Sequence, residues 1–170
     1  MRKELIIILI VIATALFTAC HHEPPLITAP EQGPNIKENL ANANRYIVES
    51  EETQINAYVT RHGWETTRLQ NGSRIYEYER GGGPAIEYEE TIVIDYNLGT
   101  LTGSTIYTGE CDTIVVGRQK PTRGLDAALM KLRHGSKAIV IVPSNEGYGV
   151  VGDGYRVTSR MVLVYDMHIK

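Results

Sequence analysis

The feature that most constrains the fold is a series of short segments rich in β-branched and aromatic residues, separated by glycine-bearing turns. Such segments are typical of strands. One short amphipathic helix is predicted among them, over residues 125–132, with Leu125, Leu129 and Leu132 on one stripe. Strands outnumber helices and do not alternate with them, which predicts an α+β fold rather than a nucleotide-binding α/β fold. The predicted strands of this antiparallel sheet include 75–79, 91–98, 105–107, 113–116, 138–142 and 161–169.

Two helical stretches are predicted ahead of the sheet. The first begins at Asn35, a good N-cap residue, and apolar residues then recur at helical spacing as far as Val48. The second covers about 51–62 and ends at Gly63, where a left-handed C-cap costs least. Residues 35–88 are therefore interpreted as a helical prefix with a leading strand.

The N-terminus has the pattern of an export signal. Two basic residues precede an apolar run over 5–17, and small residues follow before Cys20. The run is shorter than the roughly 18 to 20 residues that a membrane-spanning helix needs. The end of the run resembles a lipobox, so we expect residues 1–19 to be removed, Cys20 to carry lipid and the protein to face the periplasm, at the outer membrane. Four prolines make 20–34 a flexible tether.

Several function classes are excluded by composition and spacing. The formal net charge of −3 gives no indication of nucleic-acid binding. With Cys20 lipidated, Cys111 has no partner for a disulfide. Residues 147–152 read G-x-G-x-x-G, but Asp153 and Gly154 prevent a helix from opening there, which argues against a dinucleotide site. His21 and His22 lack a third ligand, and no metal or other cofactor is expected.

A run of motifs from Glu89 to Lys170 resembles the FKBP-type peptidyl-prolyl isomerases. The resemblance lies in residue type and in order along the chain. The closing strand brings Tyr165 seventeen positions after Tyr148, as in the family, with no gap. The segments that carry the resemblance are Val93–Tyr96, Arg123–Leu125, Gly135–Ala138, Val142–Pro143, Gly147–Gly149 and Met161–Met167.

The resemblance implies a twisted antiparallel sheet wrapped on one short helix, with the N-terminal helical extension added. It also implies a peptidyl-prolyl cis-trans isomerase that binds Xaa-Pro segments of exported polypeptides in an apolar aromatic pocket. The Tyr148 hydroxyl and the Thr122 backbone N–H would hold substrate carbonyls. The remaining pocket residues would be Tyr96 and Tyr165, counted with Tyr148 as catalytic, and Ile106, Tyr107, Leu125 and Val157, counted with Thr122 as substrate-binding.

Three positions depart from the family pattern, and two of them, Leu125 and Tyr107, support an alternative. Leu125 stands where many members have a tryptophan, Ile106 where phenylalanine is usual, and Tyr107 where many active members have an aspartate. The alternative is a binding or chaperone lipoprotein with weak or no turnover. The overall layout, with its helical prefix, resembles the gliding-motility-associated lipoprotein isomerases.

Overall fold

The structure is a computed structural model that describes residues 35–118 and 122–170. The predicted signal peptide, the lipidation site at Cys20 and the tether over 20–34 lie outside the described residues and stay predictions. In the part of the chain that is described, no helix is both long enough and apolar enough to cross a membrane. Residues 42–170 form one compact unit, which contains the sheet.

The N-terminal helix, α1, is one continuous element of 28 residues, Asn35–His62, where the sequence predicted two helices. No glycine or proline interrupts it, so the backbone has no reason to break between the two stretches. The helix ends at Gly63, whose φ is +67°. The Gly63 N–H donates to the Thr60 carbonyl at 3.1 Å, and the Trp64 N–H donates to the Val59 carbonyl at 3.2 Å. These two bonds form a Schellman C-cap.

The predicted antiparallel sheet is confirmed, and within the described residues it has six strands, in the spatial order β1-β2-β5-β6-β3-β4. Every neighbouring pair is antiparallel. Because β5 pairs with β2 and with β6, the middle of the sheet is assembled from segments that are distant along the chain. The strands are β1 Thr67–Arg68, β2 Arg74–Glu79, β3 Thr91–Thr100, β4 Thr105–Val115, β5 Lys137–Val142 and β6 Leu163–Ile169.

One face of the sheet packs on the short helix α2, Arg123–Leu129. Thr122 caps this helix by accepting a hydrogen bond from the Leu125 N–H at 3.3 Å. Leu125 and Leu129 of this helix are fully buried, and Leu132, which the sequence placed in the helix but which lies three residues beyond its end, is 2% exposed. Truncating a buried leucine to alanine typically costs about 2–5 kcal/mol, so this helix is a major contributor to the core. The predicted α+β class with one short helix against the sheet is confirmed.

The opposite face of the sheet is also covered. Ile55 and Tyr58 of α1 form a second cluster with Ile141 of β5 and with Val162 and Val164. Along β5, Val140 and Val142 belong to the main core, whereas Ile141 belongs to this second cluster. Successive side chains of a strand point to opposite faces, so β5 is buried on both sides and its unbroken apolar run is explained.

Strand β4 is a single strand interrupted by a bulge, where the sequence predicted two strands. The pairing with β3 shifts between Ile94, which faces Asp112, and Tyr96, which faces Gly109. Cys111, within the extra segment, has φ +55°. Its N–H donates to an Asp95 side-chain oxygen at 2.8 Å. A bulge of this kind lets the strand continue while reversing the face to which later side chains point.

Replacement of Gly63 by alanine tests the helix terminus. A Cβ at Gly63 would meet no atom within 4 Å, so any loss of stability comes from the left-handed backbone alone. We expect the free energy of unfolding, measured by urea denaturation, to fall by about 1 kcal/mol. Gly82→Ala is the matched control, because its Cβ also meets nothing and its φ is not positive. Equal effects of the two substitutions would contradict the C-cap.

Candidate functional site

A cleft of about 950 Å³ opens between helix α2 and the paired strands β3 and β4. Its floor is apolar, with Leu125 fully buried. Its rim carries the charged residues Asp112 and Arg118. Four of the sequence-predicted site residues, Tyr96, Leu125, Tyr148 and Tyr165, line this one cleft. The other lining residues are Ile94, Asp112, Thr113, Ile114, Val115 and Arg118.

Two tyrosine rings form one wall of the cleft. The centroids of Tyr96 and Tyr165 are 6.3 Å apart and the ring planes are inclined by 54°. Tyr165 is 1% exposed. Among the described residues, its hydroxyl has no partner at hydrogen-bond geometry. Burial raises the pKa of this hydroxyl well above its usual range, and Thr122, close enough to act on it, lowers the pKa by a smaller amount. The wall is therefore neutral and largely apolar.

Tyr148 is the hydroxyl donor best placed for a ligand. The side chain is half-buried and packs against the main core. Burial raises the pKa of the Tyr148 hydroxyl, and the nearby negative charge of Asp153 raises it further. A phenol with a raised pKa keeps its proton at neutral pH. Tyr148 can therefore donate a hydrogen bond into the cleft without competing ionisation.

Asp112 is a cleft residue that the sequence reasoning missed. Burial raises the pKa of the Tyr96 hydroxyl, and Asp112 raises it further by its charge and by accepting a hydrogen bond from that phenol. A Cβ on Gly109 would collide with both Asp112 and the Tyr96 ring, so the absence of a side chain there permits their approach. The regular alternation of side chains between the two faces of a strand cannot predict which way Asp112 points, because the bulge in β4 changes that alternation. The bulge could not be predicted at Cys111, because cysteine is not a residue type that favours a positive φ.

The segment from Asp153 to Val157, named here the flap, is held by one carboxylate. One oxygen of Asp153 accepts the N–H groups of Tyr155, Arg156 and Val157 at 2.8–2.9 Å. Its other oxygen accepts the Tyr107 hydroxyl at 2.5 Å. The Arg156 guanidinium lies 5.6 Å from the centre of the Tyr107 ring. Tyr107, predicted to bind substrate, thus fastens the flap to β4.

The remaining predicted residues lie in the core around the cleft and are absent from its lining. Ile106 is 8% exposed and Val157 is 3% exposed, and both belong to the main hydrophobic cluster. Thr122 is 2% exposed and caps α2. The substrate contacts assigned to these three residues, including that of the Thr122 N–H, stay predictions. Among the described residues, no group of three or more histidine, cysteine or acidic side chains is arranged to hold a metal ion.

Comparison with known proteins identifies the family. A match to the FKBP-type peptidyl-prolyl cis-trans isomerase family spans residues 83–170. The chain belongs to this family. FK506-binding protein 1B of Neurospora crassa is 31% identical over 101 residues, which cover 53% of this chain and 88% of that protein. The sequence-based recognition of the family is confirmed.

Other relatives are much longer than the shared segment. Human peptidyl-prolyl cis-trans isomerase FKBP9 is 37% identical over 71 residues, covering 42% of this chain. The chain spans only 12% of the length of that protein.

Solved structures confirm the FKBP fold. A peptidyl-prolyl cis-trans isomerase from Pseudomonas syringae has a TM-score of 0.62 at 18% identity, over 74% of this chain and 92% of that one. FkpA from Escherichia coli has the same TM-score and identity, over 76% of this chain and 62% of that one. At this identity the likeness concerns the fold alone.

The lowered pKa of Asp153 predicts that the conformation of the flap depends on pH. The hydrogen bond from Tyr107 is the largest cause that lowers the pKa of Asp153, from 3.8 to about 2. Because the folded-state pKa is the lower one, the carboxylate stabilises the flap fully above pH about 4, and this contribution is lost as the pH falls through about 2. We expect the NMR shifts of the Tyr155, Arg156 and Val157 amides to titrate together near pH 2. Tyr107→Phe should move this midpoint toward 3.8. A midpoint already near the ordinary value in the unmodified chain would contradict the arrangement.

Proposed function

We propose that this protein is a peptidyl-prolyl cis-trans isomerase that acts on Xaa-Pro bonds in extended segments of exported polypeptides. The observation that carries the proposal is the cleft with apolar walls formed by Tyr96, Leu125 and Tyr165, with the protonated Tyr148 hydroxyl in its lining. A proline ring is apolar and compact, and the adjoining carbonyl groups need hydrogen-bond donors. The cleft supplies both kinds of surface.

The reaction requires rotation about an amide and no bond cleavage. The barrier of about 18–20 kcal/mol arises from the partial double bond between carbon and nitrogen. Water stabilises the polar planar amide, whereas the twisted amide has lost its resonance and is less polar. An apolar cleft therefore favours the twisted form over the planar one. An acceleration of about a million-fold corresponds to about 8 kcal/mol of such preference.

The chain's own residues divide this task. Leu125 and the two tyrosine rings of the wall exclude water and hold the proline ring. Tyr148 donates to a carbonyl next to the rotating bond and restricts that carbonyl to one orientation. Asp112 holds the Tyr96 phenol and so limits the positions of that ring. No nucleophile or acid-base group is required.

Substitution of Tyr148 tests the proposed donor. We expect the purified full-length chain to accelerate cis-to-trans exchange in Xaa-Pro peptides, measured by NMR exchange spectroscopy. Tyr148→Phe removes one hydrogen bond of about 1–1.5 kcal/mol, so kcat/KM should fall by about tenfold. Tyr46→Phe, on a tyrosine that is 73% exposed on α1, is the matched control and should change nothing.

A second candidate function is proline-peptide binding with little turnover. It is favoured by Tyr107, whose hydroxyl is engaged by Asp153 and so is not free to contact a ligand, and by the modest floor that Leu125 offers. Exchange at the spontaneous rate together with peptide binding would establish this candidate in place of the enzyme. In either case Tyr165→Ala, which opens the wall of the cleft, should weaken binding. Unchanged binding would relocate the site.

We further propose that the protein is a lipoprotein, anchored through Cys20 and facing the periplasm, at the outer membrane. The sequence of residues 1–20 supports this proposal. In a Gram-negative host, Cys20→Ser in the full-length chain should abolish partition into the detergent phase and the acyl mass on the N-terminal peptide. Cys111→Ser replaces the exposed second cysteine and is the control. An N-terminal peptide without acyl groups in the unmodified chain would exclude lipidation.

A further inference from the structure

The Ser144 carbonyl group accepts hydrogen bonds from the backbone on both sides of Tyr148. After β5 the chain forms a 3-10 turn, Ser144–Glu146. The Ser144 carbonyl accepts the N–H of Gly149 at 2.8 Å, and it shares the N–H of Gly147, at 3.1 Å, with the Pro143 carbonyl at 3.0 Å. These glycines flank Tyr148 directly. The position of Ser144 therefore helps to set the position of the Tyr148 backbone, and with it the reach of the hydroxyl into the cleft.

Ser144 donates two hydrogen bonds to a carboxylate of α1. One Glu51 oxygen accepts the Ser144 N–H at 3.0 Å, and the other accepts the Ser144 hydroxyl at 2.5 Å. Glu51 is 7% exposed and Ser144 is 5% exposed. A buried carboxylate is costly unless its oxygens are hydrogen-bonded, and bonds to a charged acceptor are stronger than neutral ones. The two bonds together fix both the direction and the distance of the turn.

We propose that Glu51 is a positioning residue for Tyr148, acting through Ser144; the proposal rests on the proposed function of the cleft. Glu51 lies outside the family match, which begins at residue 83. Through Glu51 the helical extension then influences the geometry of the donor without touching the ligand. A second bond, from the Arg123 guanidinium to the Asn145 carbonyl at 3.0 Å, ties the same turn to α2. The turn is thus held between the two helices.

Glu52, next to Glu51 on α1, provides a control that distinguishes positioning of Tyr148 from packing of the helix on the sheet. Glu52 forms an ion pair with Arg74 of β2, whose side chain is 7% exposed and which also donates to Asn56 at 3.0 Å. This pair anchors α1 to the sheet, as Glu51 does. It makes no hydrogen bond to the turn over 144–149. A substitution at Glu52 therefore weakens the packing of α1 on the sheet but leaves the hydrogen bonds between Glu51 and Ser144 in place.

The test compares Glu51→Gln and Glu51→Ala with Glu52→Gln in the full-length chain. We expect Glu51→Ala to lower kcat/KM for Xaa-Pro peptides by about tenfold, as loss of the Tyr148 bond does. In Glu51→Gln the amide oxygen still accepts one bond, so the loss should be only partial. Glu52→Gln should lower the Tm but leave kcat/KM and KM unchanged. Ser144→Ala keeps the hydrogen bond from the backbone N–H to Glu51 and removes the one from the hydroxyl. This variant replaces Glu51→Ala in the test if Glu51→Ala does not fold.

NMR supplies a readout that does not depend on turnover. The amide signals of Gly147 and Gly149 and the ring protons of Tyr148 should shift in the Glu51 and Ser144 variants and stay in place in Glu52→Gln. If the unmodified chain has no isomerase activity, the proposed function fails, while these shifts still decide the positioning role. Equal losses of kcat/KM in the Glu51 and Glu52 variants, or unmoved signals in Glu51→Ala, would overturn the proposal.

Discussion

The structure is organised by the burial of both faces of β5 and of the first residues of β6. Val140 and Tyr165 point to the α2 side, and Ile141 and Val164 point to the α1 side. A two-sided apolar strand is stable in water only when both faces are covered. One short helix covers the first face and residues 51–58 of α1 cover the second. The extension outside the family match is therefore part of the folded core.

Periodicity in the sequence was sufficient for the regular elements and failed where local geometry departs from the regular pattern. The residue types over 75–79 predicted a strand correctly, although its burial falls along the strand and does not alternate. Leu125 and Leu129 predicted α2 correctly, because that helix has one clearly buried face. The stretches at 35–48 and 51–62 were predicted as separate helices, although nothing between them breaks a helix. Strand β4 was divided in two, because a bulge at Cys111 leaves no mark in the order of residue types.

The candidate site was predictable in its apolar part and not in its polar part. Tyr96, Leu125, Tyr148 and Tyr165 could be assigned by resemblance, and all four line the cleft. Asp112 depends on the bulge and Asp153 depends on the conformation of the flap, so neither could be placed from spacing. Burial raises the pKa of the Tyr96 and Tyr148 hydroxyls, and the charges of Asp112 and Asp153 raise it further. Both phenols therefore keep their protons and can donate hydrogen bonds.

The bond between Glu51 and Ser144 joins residues 93 positions apart along the chain. Contacts of such long range form only after a large loss of chain entropy, and they usually form late in folding. The turn that carries Tyr148 thus reaches its final geometry only when the first helix and the last strands have met. In any folding intermediate in which α1 has not yet packed on the sheet, the Tyr148 hydroxyl therefore lacks its final position.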